Sequence, residues 1–134
     1  MKPFTLDSSM TTMSGVFYPT GHIFVMFPTR ADAEQAGAAL VAAGVEGNEL
    51  SLITPEVIQE KIAATVGNAD AELPSAGTEG DTVRRFAELA SQGHHALLVH
   101  APKAKDSEHA MEAIKNFPVS YAQKYRQLVI EDLG

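Results

Sequence analysis

One stretch of this chain occurs twice, and that repeat limits the folds open to it. Residues 25–45 align without a gap with residues 99–119, an offset of 74 positions. Each copy has the pattern of a strand, a short loop, a helix and a second strand, so we expect two βαβ units related by a pseudo-twofold axis. The identical pairs are Val25/Val99, Pro28/Pro102, Asp32/Asp106, Glu34/Glu108, Ala36/Ala110, Ala39/Ala113 and Val45/Val119.

The 134 residues are expected to form a single domain made of a tail, two units and an insertion. Residues 1–15 are rich in Ser, Thr and Met without a period, which predicts a flexible or partner-docked tail. The first βαβ unit is predicted over 21–54 and the second over 94–131. Between them, 55–92 carries apolar residues at helical spacing on both sides of a Gly- and Pro-containing loop, which predicts a helical insertion.

Local signals place the elements within these segments. The sequence HIFVMF predicts a strand over 22–27, and LSLIT predicts a second one over 50–54. Gly44 and Gly93 are predicted to end helices, because glycine is favoured just past a helix C-terminus. The candidate helix N-caps are Thr29 or Asp32, Thr54 followed by Pro55, and Asp81.

Two βαβ units packed into one antiparallel sheet predict an α+β, ferredoxin-like two-layer sandwich. Both repeat helices of that fold cover one face of the sheet and leave the other face open. Strand alternation puts Ile23, Val25 and Phe27 on the covered face. The opposite parity gives the candidate interface or ligand-binding residues, which are His22, Phe24, Met26, Leu98 and His100.

An apolar face of this kind is seldom bare in a soluble monomer. We therefore expect it to be covered by the insertion at 55–92, by a second subunit, or by a ligand. If the first and third strands are antiparallel neighbours, His22 and His100 lie close together. Two imidazoles do not complete a metal site, and spacing does not fix a third ligand, so no metal or cofactor is predicted.

Charge and composition exclude some classes of function. The formal net charge is −7, which opposes binding to nucleic acid. There is no cysteine, no apolar run long enough to span a bilayer and no secretory signal at the N-terminus, so a cytoplasmic protein without a membrane partner is expected. The sequence shows neither a nucleophile elbow nor a Gly-rich phosphate loop, and hence no catalytic residue is predicted.

The stretch FPTRADAEQAGAALVAAGVEGNELSLIT resembles the opening βαβ unit of small bacterial general-stress or heat-induced stress domains. The matching positions are Ala33, Glu34, Ala36, Leu40 and Gly44, followed by the strand at 50–54. The resemblance implies a ferredoxin-like fold and a stress-linked role, and it brings no catalytic residues with it.

Taken together, the residues favour a non-enzymatic protein that self-associates, as a homodimer, through Phe24, Met26 and Leu98 or through its last strand. The alternative is a small-molecule-binding protein or enzyme with a pocket between the sheet and the inserted helices. His22, His100 and Tyr121 would supply the polar lining of that pocket.

Overall fold

The structure is a computed structural model that describes residues 1–12, 15–69, 77–127 and 129–133. It is an α+β fold with one antiparallel sheet of five strands in the order β2-β3-β1-β4-β5. The strands are β1 (His22–Phe27), β2 (Leu50–Ile53), β3 (His95–His100), β4 (Tyr121–Tyr125) and β5 (Ile130–Asp132). The main helices are α1 (Arg30–Ala42), α4 (Gly77–Ser91) and α5 (Ala104–Ala113).

The first unit forms as its local signals predict. β1 has the predicted bounds, and β2 ends one residue before the predicted limit. The Thr29 side chain accepts a hydrogen bond from the backbone N–H of Asp32, which settles the choice of cap in favour of Thr29. Beyond α1, Gly44 has a φ of +107°, a conformation that glycine adopts without a Cβ penalty.

The inserted helices, as we call residues 55–69 and 77–91, begin at the predicted cap. Thr54 accepts from the N–H of Val57, and Pro55 occupies the first turn of α2 (Pro55–Val57). This helix continues through a π-helical turn at Ile58–Ile62 into α3 (Ala63–Ala69). The prediction that Asp81 caps the next helix is wrong, because α4 already begins at Gly77. Residues 70–76 of the predicted loop lie outside the described residues.

The second unit repeats the first with shifted bounds. β3 begins at His95, one residue after the predicted start of the unit at 94, and the helix of this unit, α5, covers Ala104–Ala113. The part of the chain after α5 forms β4 and β5, which are antiparallel neighbours. Among the described residues, no helix has the length and apolar character needed to cross a bilayer.

Two cores lie on opposite faces of the sheet. The first core is covered by α1 and α5, and its strand residues include the predicted Ile23, Val25 and Phe27. The second core is covered by the inserted helices, and its strand residues include Phe24 and Met26. The alternation predicted for β1 is therefore confirmed, and the insertion is the element that covers the second face.

The N-terminal segment, predicted as a tail over 1–15, contacts the fold in its described part. The backbone N–H of Lys2 donates to the carbonyl of Leu50 at 2.9 Å, so the chain runs alongside the outer edge of β2. Phe4 and Leu6 are partly buried against the second core. Residues 13 and 14 of the predicted tail lie outside the described residues.

Candidate functional site

Three of the five residues singled out by the sequence are interior residues. Phe24 and Met26 have no exposed surface and Leu98 is 3% exposed. The ring of Phe24 stacks on that of Phe86 from α4, with centroids 3.9 Å apart and planes 20° apart. Phe17 meets Phe24 edge to face at 5.8 Å. The space between sheet and insertion, where the sequence placed a pocket, is filled here by packed aromatic rings.

The two histidines of that set do meet at the edge of this core. His22 and His100 face each other in the register of β1 and β3, and their ring centroids are 5.1 Å apart. The Nδ1 atom of His22 lies 3.0 Å from the carbonyl oxygen of Thr20, which assigns the proton to that nitrogen because a carbonyl only accepts. The Nδ1 atom of His100 lies 3.4 Å from a carboxylate oxygen of Glu49.

The surroundings of His22 disfavour a positive charge on its imidazole. Burial lowers the pKa of the His22 imidazole, and the neighbouring His100 lowers it further, while the Thr20 carbonyl acts in the opposite direction. The N-terminal segment closes a small cavity of about 120 Å³ beside His22. Among the described residues, no group of three or more His, Asp or Glu side chains is arranged to hold a metal ion.

A larger cavity, of about 570 Å³, lies on the other face of the sheet, at the N-terminal end of α5. Its volume falls in the range of about 300–1,000 Å³ that is usual for small-molecule sites. We call it the Lys124 cavity. Its lining residues are Thr20, Gly21, Pro102, Ala104, Ser107, Glu108, Met111, Lys124, Tyr125, Arg126, Gln127, Glu131 and Leu133.

The side chain of Lys124 is the buried polar group of this cavity, and the residue is 4% exposed. Lys124 stands opposite Ile23 in the register of β4 and β1, so it lies on the face covered by α5. Its Nζ donates to the carbonyl oxygen of Ala101, at the end of β3, and to Oγ of Ser107 on α5 at 2.5 Å. Both partners are neutral oxygens, which leave the charge of an ammonium group uncompensated at contact distance.

The surroundings of Lys124 lower the pKa of its amine, and burial is the main cause. Arg126 acts in the same direction, whereas the carboxylates of Asp106 and Glu131 oppose it. Arg126 and Glu131 both line the cavity, and more than half of each side chain is exposed. The distance between Nη1 of Arg126 and Oε1 of Glu131 is 3.9 Å. A desolvated amine, an apolar wall and exposed charges at the rim are a combination suited to a small organic ligand.

Sequence reasoning missed Lys124, because the gap-free repeat ends at residue 119 and does not reach it. The strand register supplies the equivalent position. Lys124 stands opposite Ile23, and Leu52 stands opposite Leu97, which is 74 positions after Ile23. Lys124 therefore lies where the first unit has Leu52, a residue partly buried against the first core. The neighbouring Tyr125 points to the opposite face and belongs to the second core, and its hydroxyl has no hydrogen-bond partner in the part of the chain that the structure describes.

No protein-family model, curated protein or solved structure matches this chain.

Proposed function

We propose that this protein binds a small organic molecule in the Lys124 cavity, and that the ligand carries a carboxylate or carbonyl oxygen. The observation that supports this is a buried lysine, Lys124, among the lining residues of a cavity of about 570 Å³. An ammonium group has three donor hydrogens, and Ala101 and Ser107 accept two of them. Among the described residues nothing else accepts from Nζ, so the third hydrogen can donate to a ligand oxygen.

The remaining lining suits the carbon skeleton of such a ligand. Pro102, Met111 and Leu133 supply apolar surface around the amine. Apolar walls with a few polar groups that fix orientation are typical of small-molecule sites. Gly21, which also lines the cavity, has a φ of +81°. Its N–H donates to the carbonyl of Tyr125, and this hydrogen bond fixes the backbone beside the cavity.

The proposal is tested with a fluorescent reporter, since the chain has no tryptophan. Met111→Trp places one indole in the lining of the cavity. We expect a saturable change in its emission when phenyllactate, phenylpyruvate, benzoate or octanoate is added. Adding Lys124→Met should weaken the binding at least tenfold, because the oxygen of the ligand loses its donor. Lys115→Met is the matched control, because Lys115 is an exposed lysine of the same part of the chain paired with Glu112.

The absence of saturable binding for every one of these probes, in both fluorescence and backbone amide NMR, would overturn the proposal. So would equal affinities in the Lys124→Met and Lys115→Met backgrounds. If a ligand binds but changes the amide resonances of the inserted helices and not those of α5, it binds outside the Lys124 cavity, and this result would also contradict the proposal.

We further infer that the first four strands and the helices α1 and α5 form a ferredoxin-like sandwich, extended by β5 and by the inserted helices. The strand order β2-β3-β1-β4 supports this assignment. The helices α1 and α5 both contribute to the core on one face of the sheet, as this arrangement requires.

Self-association, which the sequence favours, remains a prediction and is supported less well by the geometry. β5 is an edge strand of three residues, and Glu131 and Asp132 in it are exposed. Pairing with a second copy would bring acidic side chains together, which destabilises an antiparallel pair. Multi-angle light scattering over a range of concentrations measures the subunit number directly, and a stable dimer would support the prediction of self-association.

A further inference from the structure

We propose that Lys124 is a nucleophile that forms an imine with the carbonyl group of an aldehyde, ketone or 2-oxo acid held in the cavity. This inference rests on the proposed function, because the carbonyl compound has to enter the Lys124 cavity first. It adds a covalent step and names the class of ligand that can undergo it.

The position of the amine supports this step. Lys124 is 4% exposed and lines a cavity that is large enough for a small molecule, and its Nζ contacts Ser107, which lines the same cavity. Its hydrogen-bond partners, Ala101 O and Ser107 Oγ, belong to two different elements and hold the amine in place. An amine held in this way loses little freedom when it attacks a carbonyl carbon in the cavity.

The protonation of the amine supports it as well. Only a neutral amine is a nucleophile, so the ammonium form that donates to a ligand oxygen must first lose a proton, and desolvation favours that loss. The two protein partners of Nζ are neutral oxygens, so neither of them holds the proton on the amine as a carboxylate would. The charged groups that face this amine are Asp106 and Glu108 on α5, Arg126 after β4, and Glu131 on β5.

The step balances without a further reactant. The nitrogen lone pair of the neutral amine attacks the carbonyl carbon and forms the N–C bond of a carbinolamine. The carbonyl oxygen then leaves as water, taking with it the two hydrogens of the amine, and the N=C double bond of the imine forms. Neither carbon nor nitrogen changes its oxidation state, and added water reverses the step.

Reductive trapping tests the inference on the intact protein. Phenylpyruvate with sodium cyanoborohydride at neutral pH reduces an imine to a stable secondary amine, and peptide mapping by mass spectrometry then locates it. The chain has six lysines, of which five serve as internal references. We expect Lys124 to be labelled at least tenfold faster than Lys115, and the rate at Lys124 to reach its plateau at a lower pH.

Lys124→Arg separates the nucleophile from the positive charge. A guanidinium keeps the charge and the donors but is not nucleophilic at any pH used here. Trapping at position 124 is then lost, while binding of phenyllactate, which has a hydroxyl in place of the carbonyl, is retained in part. If this variant does not fold, trapping on the unaltered protein in the presence and absence of excess phenyllactate gives the same information, because a bound competitor protects Lys124.

The two proposals fail in different ways. Saturable binding of phenyllactate together with labelling of Lys124 no faster than Lys115 would overturn the imine and leave the binding site intact. Labelling of Lys124 that phenyllactate does not slow would contradict both, because the reaction would then occur without occupation of the cavity. No binding and no selective labelling would likewise overturn both.

Discussion

The two faces of the sheet are filled by different kinds of side chain. On the face under the inserted helices, aromatic rings such as Phe17, Phe24 and Phe86 contact one another directly. On the other face, α1 and α5 contribute mainly small residues, among them Ala36 and Ala110. The first arrangement leaves a tightly filled core, whereas the second leaves the Lys124 cavity beside the N-terminal end of α5. Both faces therefore carry a buried core, but only the face under α1 and α5 also has the Lys124 cavity, which has the volume to hold a small molecule.

Removing an aromatic ring from the filled face should give the largest effect. Phe86→Ala deletes a buried side chain that stacks on Phe24, and it should lower the free energy of unfolding by about 3–5 kcal/mol. Met111→Ala, in the lining of the cavity, is the matched truncation on the other face and should cost clearly less, since the residue is already partly exposed. Urea unfolding followed by circular dichroism measures both. Equal decreases in the free energy of unfolding for the two variants would contradict this difference between the two faces.

Lys124→Met should act in opposite directions on stability and binding. Methionine has a similar length and avoids the cost of burying an amine, so we expect a gain of about 1 kcal/mol in the free energy of unfolding. The same variant loses ligand affinity, which is the trade-off expected of a functional residue. Thermal unfolding and the fluorescence titration report the two quantities. A loss of stability in this variant would indicate that Lys124 mainly ties Ala101 to Ser107.

Tyr125→Phe tests the filled face for an unsatisfied polar group. Burial raises the pKa of the Tyr125 hydroxyl well above its usual value, and this hydroxyl has no hydrogen-bond partner among the described residues. Because a buried donor without a partner is destabilising, its removal should raise the free energy of unfolding by about 1 kcal/mol or less. A decrease measured in urea would instead indicate a partner, such as a bound water molecule, that the hydroxyl contacts.

The smallest effect is expected from His22, at the exposed rim of the filled core. Its pKa is lower in the folded than in the unfolded protein, so the unfolded chain binds more protons at mildly acidic pH. Stability is therefore complete above the unfolded pKa of 6.5 and declines as the pH falls through that value toward the folded pKa. Urea midpoints at pH 8 and pH 5 measure the decline, which His22→Gln should reduce. His95→Gln, at another exposed strand histidine, is the control.

Most of the sheet could be predicted from the sequence, because the alternation of side chains along a strand and the residues that cap a helix are visible within a few positions of the chain. β1 was predicted to the residue, and the alternation of Val25 and Phe24 sorted them correctly into the two cores. The cap at Thr54 with Pro55 located the start of the insertion. By contrast, the start of α4 at Gly77 was missed, since Gly77 and Gly80 are poor helix formers and their helical state depends on the surrounding fold.

The candidate site was much harder to predict than the fold. Phe24, Met26 and Leu98 were correctly recognised as an apolar face, but sequence alone does not decide between a cover within the chain and a second subunit, since both bury the same surface. The Lys124 cavity depends on how far α5 extends over the sheet, which is a result of tertiary packing. The repeat does not locate it, because the gap-free alignment ends at residue 119, before Lys124.

The register of β1 and β3 has a consequence for the ancestry of the chain. Phe24 and Leu98 are equivalent residues of the two repeats, 74 positions apart, and they also stand opposite each other across the two strands. This is the geometry expected when a gene for one unit, whose product pairs with its own copy, is duplicated and fused. After such a fusion the two copies no longer have to be identical. The first unit has Leu52, and the second has the buried amine of Lys124, at the matching place of the sheet.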